Sequence, residues 1–464
     1  AETYLRVDEI HSLVRQFVFG VQNHQKAIRI IKVLSSAASV EQRIAEAALA
    51  RAWDTMGNTE READRPDRAA SAFEQALSIQ RTFLSISATP QDRSDFARTL
   101  YNRGLLRMDQ NQTSPAAADF EQSISFSLQA LQEDPGNGAF QQGLARCRLN
   151  LGVLMRNLGN SSAALKQYDA AIAILQNLVQ ALPSMNEYVV ELAQAWLNRG
   201  NLLLTTRKDS VTLAEKPLEA AQASFSEAVN LLSALKAQYP NVPQYDIELA
   251  NALNGLGGVQ QESGDSEAAR ESWTRARVAF LDVLRVSGDS AELYTRLGLT
   301  MANLALLIPR EHPEQRIPLL QEACSHQRSA LRKKPDATLS KSYLRSHLLS
   351  LSRALIQQGN HAEAATAAEE FGALELQPTD WQTAAELLVR AMAACLEDDS
   401  LTPESQLANA ESYASRAVTA LRHISERDPL AIQQIAQNEK FQAIRERADF
   451  RMLLEKAAEN STKP

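Results

Sequence analysis

No stretch of the 464-residue chain is an apolar run of the roughly 18 to 20 residues needed to cross a bilayer, and the N-terminus lacks the basic-then-apolar order of a secretory signal. Membrane insertion by this segment is therefore not expected. Basic blocks are missing too. The longest is Arg332-Lys333-Lys334, and Lys+Arg 48 against Asp+Glu 56 leave a formal net charge of −8, which argues against nucleic acid as a partner. The three cysteines, Cys147, Cys324 and Cys395, are odd in number, far apart and without CxxC spacing. That pattern indicates neither a disulfide framework nor a zinc site, and they read as small buried helix residues. Cysteine usage leaves the compartment open; the working expectation is a soluble, cytoplasmic segment, which a longer membrane-linked protein could also contain.

Catalytic signatures are absent as well. The sequence holds no GxxxxGK[ST] phosphate loop, no GxGxxG after a strand, no HExxH and no GxSxG elbow, and the kinase set of HRD and DFG is missing. The seven histidines (His11, His24, His312, His326, His347, His361 and His423) are scattered without i, i+4 metal spacing, and most are expected on polar helix faces. Glu397-Asp398-Asp399, next to Ser400 and Pro403, lacks the alternating ligands of a calcium loop and reads as a hydrated, mobile insertion. No catalytic residue, metal or cofactor is expected in this segment.

What the chain does have is alanine and leucine. Apolar residues make up 44% and aromatics only 6%, a mixture that favours helix because few β-branched residues are present to fill a sheet. A frame then repeats along the sequence: a small residue, followed after 12, 16 and 19 residues by small, ring-bearing and small positions. Its clear instances are Gly57/Ala69/Phe73/Ala76, Gly104/Ala116/Phe120/Ser123, Gly152/Ala164/Tyr168/Ala171 and Gly257/Ala269/Trp273/Ala276, with Gly200/Ala221/Phe225/Ala228 carrying nine extra residues. Weaker copies are Leu304/Arg316/Leu320/Ala323, Ser352/Ala364/Ala368/Phe371 and Ala393 with Ala410/Ala414/Ala417. Breakers at Pro90, Pro135, Pro183, Pro240, Gly288, Pro335, Pro378 and Pro429 separate the copies, and Gly159, Gly264 and Gly359 fall seven residues after the small position. Each copy is therefore expected to be a helix pair in which a ring fills the space beside a close helix crossing. Asp265, and Ser161 or Ser162, are the expected N-caps after the inner turn.

These small, ring and proline positions resemble the tetratricopeptide repeat (TPR), with Trp53, Leu100, Leu149, Trp196 and Leu253 near its large apolar position. The period is about 47 to 48 residues instead of the usual 34, which is similar to the long repeats of kinesin-light-chain-like proteins. The resemblance implies an all-α, right-handed superhelical solenoid of antiparallel helix hairpins. Its expected organisation is an N-terminal helical segment at residues 1–40, about eight hairpins over 41–429, and a C-terminal capping helix and tail over 430–464. Residues 1–40 read as a truncated first hairpin, whose Phe17, Val18 and Phe19 would suit self-association; the oligomeric state stays open. The tail Asp428–Ala458 also resembles the segment closing the repeat regions of planctomycete-type bacterial serine/threonine kinases, and the chain begins at Ala1 without an initiator Met. The expected function is a non-catalytic scaffold that binds proteins or peptides. The alternative is a substrate-recruiting or regulatory region of a larger kinase.

Candidate binding residues lie two before the small position, at Asn102, Asn150 and Asn198, with Arg98, Arg146 and Gln194 four residues earlier on the same helix face. An amide can satisfy a peptide N–H and C=O together, and arginine can add carboxylate recognition. The resemblance places these residues on the concave groove. Asn58, Asn102 and Arg146 also match three positions of the carboxylate clamp found in chaperone-binding repeats, while Asp54 and Asn150 depart from it.

Overall fold

The computed structural model describes residues 40–86, 88–206, 216–288 and 290–461, together with residues 23, 25, 26, 28 and 29. The expected N-terminal segment, apart from those five residues, and positions 207–215 of the insertion between Thr205 and Pro217 lie outside the described residues. Every regular element among the described residues is helical, and the chain divides into two compact units, Ala1–Tyr239 and Pro240–Pro464. Unit 1 contains α1 (Val40–Glu62), α2 (Pro66–Ile86), α3 (Pro90–Asp109), α4 (Thr113–Glu133), α5 (Gly138–Asn157), α6 (Ser161–Ala181), α7 (Asn186–Thr206) and α8 (Pro217–Gln238). Unit 2 contains α9 (Pro243–Glu262), α10 (Ser266–Ser287), α11 (Ala291–Leu306), α12 (Pro313–Lys333), α13 (Thr338–Gln358), α14 (His361–Ala373), α15 (Asp380–Leu396) and α16 (Pro403–Arg427). It ends with α17 (Pro429–Ala436), a 3-10 turn (Glu439–Ile444) and α18 (Ala448–Ser461). Consecutive helices pair as antiparallel hairpins, and the fold is an all-α, TPR-like solenoid.

The ring-beside-small-residue frame is the packing rule of the hairpins. A Cβ added at Gly57, Gly104, Gly152, Gly200 or Gly257 would meet the ring of Phe73, Phe120, Tyr168, Phe225 or Trp273, respectively, at 3.0 Å or less. Four of those rings have no exposed surface and Trp273 has 2%. Each glycine lets its first helix approach the second closely enough for the ring to lie flush on its backbone. The weaker copies solve the problem differently. In α11–α12 the close contact moves to Gly298, where the buried Gln327 takes the place of the ring and donates to Thr295 O at 3.0 Å. In α13–α14 the small residue is Ser352, whose hydroxyl donates to Ala364 O at 3.0 Å.

The turn inside each hairpin is fixed seven residues after the small position. Gly159, Gly264 and Gly359 have φ of 76°, 86° and 85°, and Asp64 and Asn111, at the same place in the first two repeats, have φ of 57° and 59°. All five turns close with an N–H···O bond from the following residue back to the last helical turn, such as Asn160 N to Met155 O at 2.8 Å and Gln112 N to Arg107 O at 2.8 Å. This is the Schellman closure, and Asp and Asn are the non-glycine residues that tolerate its left-handed position best. Asp265 caps α10 as expected, accepting from Ala268 N at 3.0 Å. For α6 the cap is Asn160 instead of Ser161 or Ser162, accepting from Ala163 N at 3.1 Å. Ser161 is already helical, and only Asn160 keeps a non-helical backbone.

Three other expectations need correction or extension. Residues 397–402 are not simply a hydrated insertion, because Asp398 accepts from the Ser400 N–H and hydroxyl at 3.0 and 2.6 Å and lies 3.3 Å from His361 Nε2. Not all described histidines face water: His361 (8% exposed) bonds Tyr413 OH at 2.8 Å, and His347 is 4% exposed. The residues following α16 cover α15 and α16, burying Phe441, Ile444 and Phe450, and Arg447 fastens them by donating to both carboxylate oxygens of Glu411 at 2.5 and 2.8 Å. Cys147, Cys324 and Cys395 are all buried free thiols.

His347 makes stability depend on pH. Its ring is parallel to Tyr343 at 6.1 Å, its Nε2 is buried without a hydrogen bond, and burial lowers its pKa from 6.5 to about 4. The unfolded chain takes up this proton near 6.5 and the folded one near 4. The neutral site therefore contributes fully above pH 6.5, and that stability is lost as pH falls through the window down to 4. The loss at pH 5 is about 2 kcal/mol. Urea unfolding at pH 7.5 and 5.0 should show a pH difference smaller by that amount in His347→Leu than in the parent chain; an equal difference in both would contradict the assignment.

Candidate interaction face

In unit 1 the first helices touch one another in succession, α1 with α3, α3 with α5 and α5 with α7, whereas α2, α4, α6 and α8 make little or no contact among themselves. The first helices thus form the inner side of this stack, and the candidate residues lie on it. Complementary polar side chains bridge from helix to helix here. Asp54, 3% exposed on α1, accepts from Arg98 Nε at 3.1 Å and from Asn102 Nδ2 at 3.0 Å on α3. Arg98 also pairs with Asp95 at 3.4 Å, and Asp95 reaches Arg51 at 3.5 Å. Despite burial, the carboxylates of Asp54 and Asp95 raise the Arg98 pKa above its ordinary value. Arg43 closes the outer end of this row on Asp92 at 2.6 Å.

The same pattern recurs between α5 and α7. Arg146 donates through Nε to Glu191 at 2.7 Å and through Nη2 to Glu187 at 2.5 Å, and Gln142 donates to Glu191 at 2.8 Å. Burial raises the Glu191 pKa even against the adjacent Arg146, and its Oε2 is buried without a partner. Asn150 donates to Tyr101 OH at 3.0 Å and to Arg146 O at 3.1 Å. Burial pushes the Tyr101 phenol up to about 12, so it stays a neutral partner for the amide.

The structure therefore brings the candidates onto one face and divides them into two sets. Arg98, Asn102, Arg146 and Asn150 are committed to neighbouring repeats, and Asn102 is only 7% exposed. Asn58 on α1 and the i, i+4 pair Gln194 and Asn198 on α7 are half-buried and make no side-chain hydrogen bond among the described residues. Sequence reasoning missed Tyr101, Glu187 and Glu191 as members of this face and gave Asp54 only as a departure from the clamp. Their signal was spacing: they lie 41 to 49 residues from their partners, near one repeat period. Chemically the face offers amide donors and acceptors, and guanidinium groups that a partner's carboxylate reaches only by competing with Asp54, Asp95 or Glu191. Among the described residues no group of His, Cys, Asp and Glu is placed to hold a metal, and no helix is long and apolar enough to cross a membrane.

No protein-family model matches the sequence, and comparison with curated proteins finds no match. Solved structures of similar fold include BtubC (BKLC) from P. vanneervenii, at 17% identity over 56% of this chain and 89% of that one, TM-score 0.44. A tetratricopeptide repeat protein from Parabacteroides merdae matches at 14% identity over 75% and 98%, TM-score 0.37. TPR-like repeats of a putative kinesin light chain from Podospora anserina match at 14% over 52% and 98%, TM-score 0.36. At these scores the overlaps add no argument to the one the hairpin packing supplies.

Proposed function

We propose that this chain is a non-catalytic scaffold that binds partner peptides or helices along the inner face of α1, α3, α5 and α7. The observation that carries the reading is the i, i+4 pair Gln194 and Asn198, two half-buried amides with no partner among the described residues, on the face built by successive first helices. The polar atoms of both side chains are open to solvent rather than spent on a neighbouring helix, so a ligand has only to replace water at them. A bound backbone would satisfy N–H and C=O groups at both residues without reading side-chain identity. Asn58 extends the grip at the other end of the face, while Arg98, Asn102, Arg146 and Asn150 hold the helices in register and take part at the cost of their internal bonds. An extended concave surface of this kind suits protein partners.

Peptides selected from a random library on the intact chain supply the test. Changing Gln194 and Asn198 together to Ala should weaken their binding by about ten-fold, the worth of one or two hydrogen bonds, with the melting temperature unchanged. Unaltered affinity would remove the groove assignment. Changing Asn102 instead would confuse binding with stability, because its amide is spent on buried Asp54.

A second reading, that the segment recruits substrates for a larger bacterial serine/threonine protein kinase, draws on the resemblance of Asp428–Ala458 to the tails of such kinases. The mass of the native polypeptide decides it: a product larger by a catalytic domain is expected under this reading, and one near 51.1 kDa would eliminate it.

A further inference from the structure

A recess of about 350 Å³ opens in unit 2 between the N-terminal halves of α9 and α11 and the C-terminal end of α10. Its floor is Val283 and Leu293, 2% and 6% exposed, and half-buried Ile247 forms part of a wall. Asn251 in the lining stands six residues before Gly257, the place that Arg98, Arg146 and Gln194 hold before Gly104, Gly152 and Gly200. Arg296, the one cation among the lining residues, is already occupied. Its Nε and Nη2 donate to Glu292 Oε1 at 3.0 and 2.6 Å, and its Nη1 donates to Asn251 Oδ1 at 2.6 Å. Glu248 Oε1 accepts from Gln244 at 2.8 Å. The Oε2 atoms of Glu248 and Glu292, and the Asn251 amide nitrogen, have no partner among the described residues.

We propose that this recess receives a lysine or arginine side chain of an extended partner segment. The aliphatic stem lies over Ile247, Val283 and Leu293, the cation meets the free oxygens of Glu248 and Glu292, and Asn251 donates to a carbonyl of the partner's backbone. Long basic side chains are suited to such a site because their stems cover apolar surface while their heads stay with polar groups. The volume sits at the low end of small-ligand sites, enough for one long side chain and the backbone bearing it. An acidic side chain would face two carboxylates, one of them, Glu292, 70% exposed at the rim, and an apolar one would offer neither of them a counter-charge. The net charge of −8 also favours approach of a basic partner. These residues belong to unit 2 and play no part in the binding face of unit 1, so the two assignments stand or fall separately.

Fluorescence anisotropy of the intact chain with fluorescein-labelled Gly-Leu-Lys-Leu-Gly-amide, and with the same peptide carrying Glu or norleucine in place of Lys, tests the proposal. The lysine peptide should bind about ten-fold tighter than either substitute, as two charge pairs would give, and raising the salt should narrow the gap. Glu248→Gln alone should weaken it by about three-fold and Glu248→Gln with Glu292→Gln by about ten-fold, whereas Gln194→Ala with Asn198→Ala should leave it unchanged. Melting curves confirm that each variant is folded; Glu248→Gln keeps the test valid if the loss of the Arg296 partner unfolds the double variant. Equal affinity for the three peptides, no binding up to about 1 mM, or a loss confined to the Gln194 and Asn198 variant would overturn the assignment.

Discussion

The contact between a helix backbone stripped of its side chain and the face of a ring is what the rest of this structure depends on. At Gly57, Gly104, Gly152, Gly200 and Gly257 the missing Cβ is occupied by the ring of the next helix. Glycine in a helix interior costs about 1 kcal/mol relative to alanine. The arrangement is stable because each glycine lets a phenylalanine, tyrosine or tryptophan bury almost completely, and burying such a ring contributes more than the glycine costs. The crossing brings the first and second helices of a hairpin together, and the first helices of neighbouring hairpins then fall within side-chain reach.

That proximity gives the inner face of unit 1 its character. With first helices in contact, a carboxylate such as Asp54 can serve two residues of the next repeat, and Arg146 can span two carboxylates of the following one. The polar groups that resemble a peptide-gripping row are therefore of two kinds. Some are cohesive, holding one repeat to the next, and some, such as Gln194 and Asn198, remain available. Exposed pairs in such a row are individually weak, about 0.2 to 1 kcal/mol, but Asp54 is buried, so removing Arg98 and Asn102 would strand its charge at a larger cost.

Much of this was legible in the sequence because it repeats. The glycine-to-ring spacing of 16 residues is a packing statement, and Gly159, Gly264 and Gly359 announced the turns. Asp64 and Asn111 did not stand out at the equivalent turn position, since neither residue type is confined to the left-handed region, and Asn160 looked no more like a cap than the serines beside it. The hairpin α11–α12 was obscured because Gln327 against Gly298 replaces the ring, changing both the residue types and the spacing. Spacing of i, i+4 put each candidate pair on one face of its own helix, and the repeat resemblance put the pairs on one groove. Their division into committed and free was hidden, because it rests on partners about one repeat away, and helical periodicity within one element carries no information about those.

A double-mutant cycle on Gly104 and Phe120, read by urea unfolding, probes the central contact most directly. Gly104→Ala should destabilise the chain by about 1 to 3 kcal/mol through overpacking. In a Phe120→Leu background the added methyl finds room, and its effect should fall to near zero or become stabilising by up to about 1 kcal/mol. A coupling energy above about 1 kcal/mol is the expected result. Effects that add to within about 0.5 kcal/mol would mean that the glycine is not there for the ring, and would contradict the account.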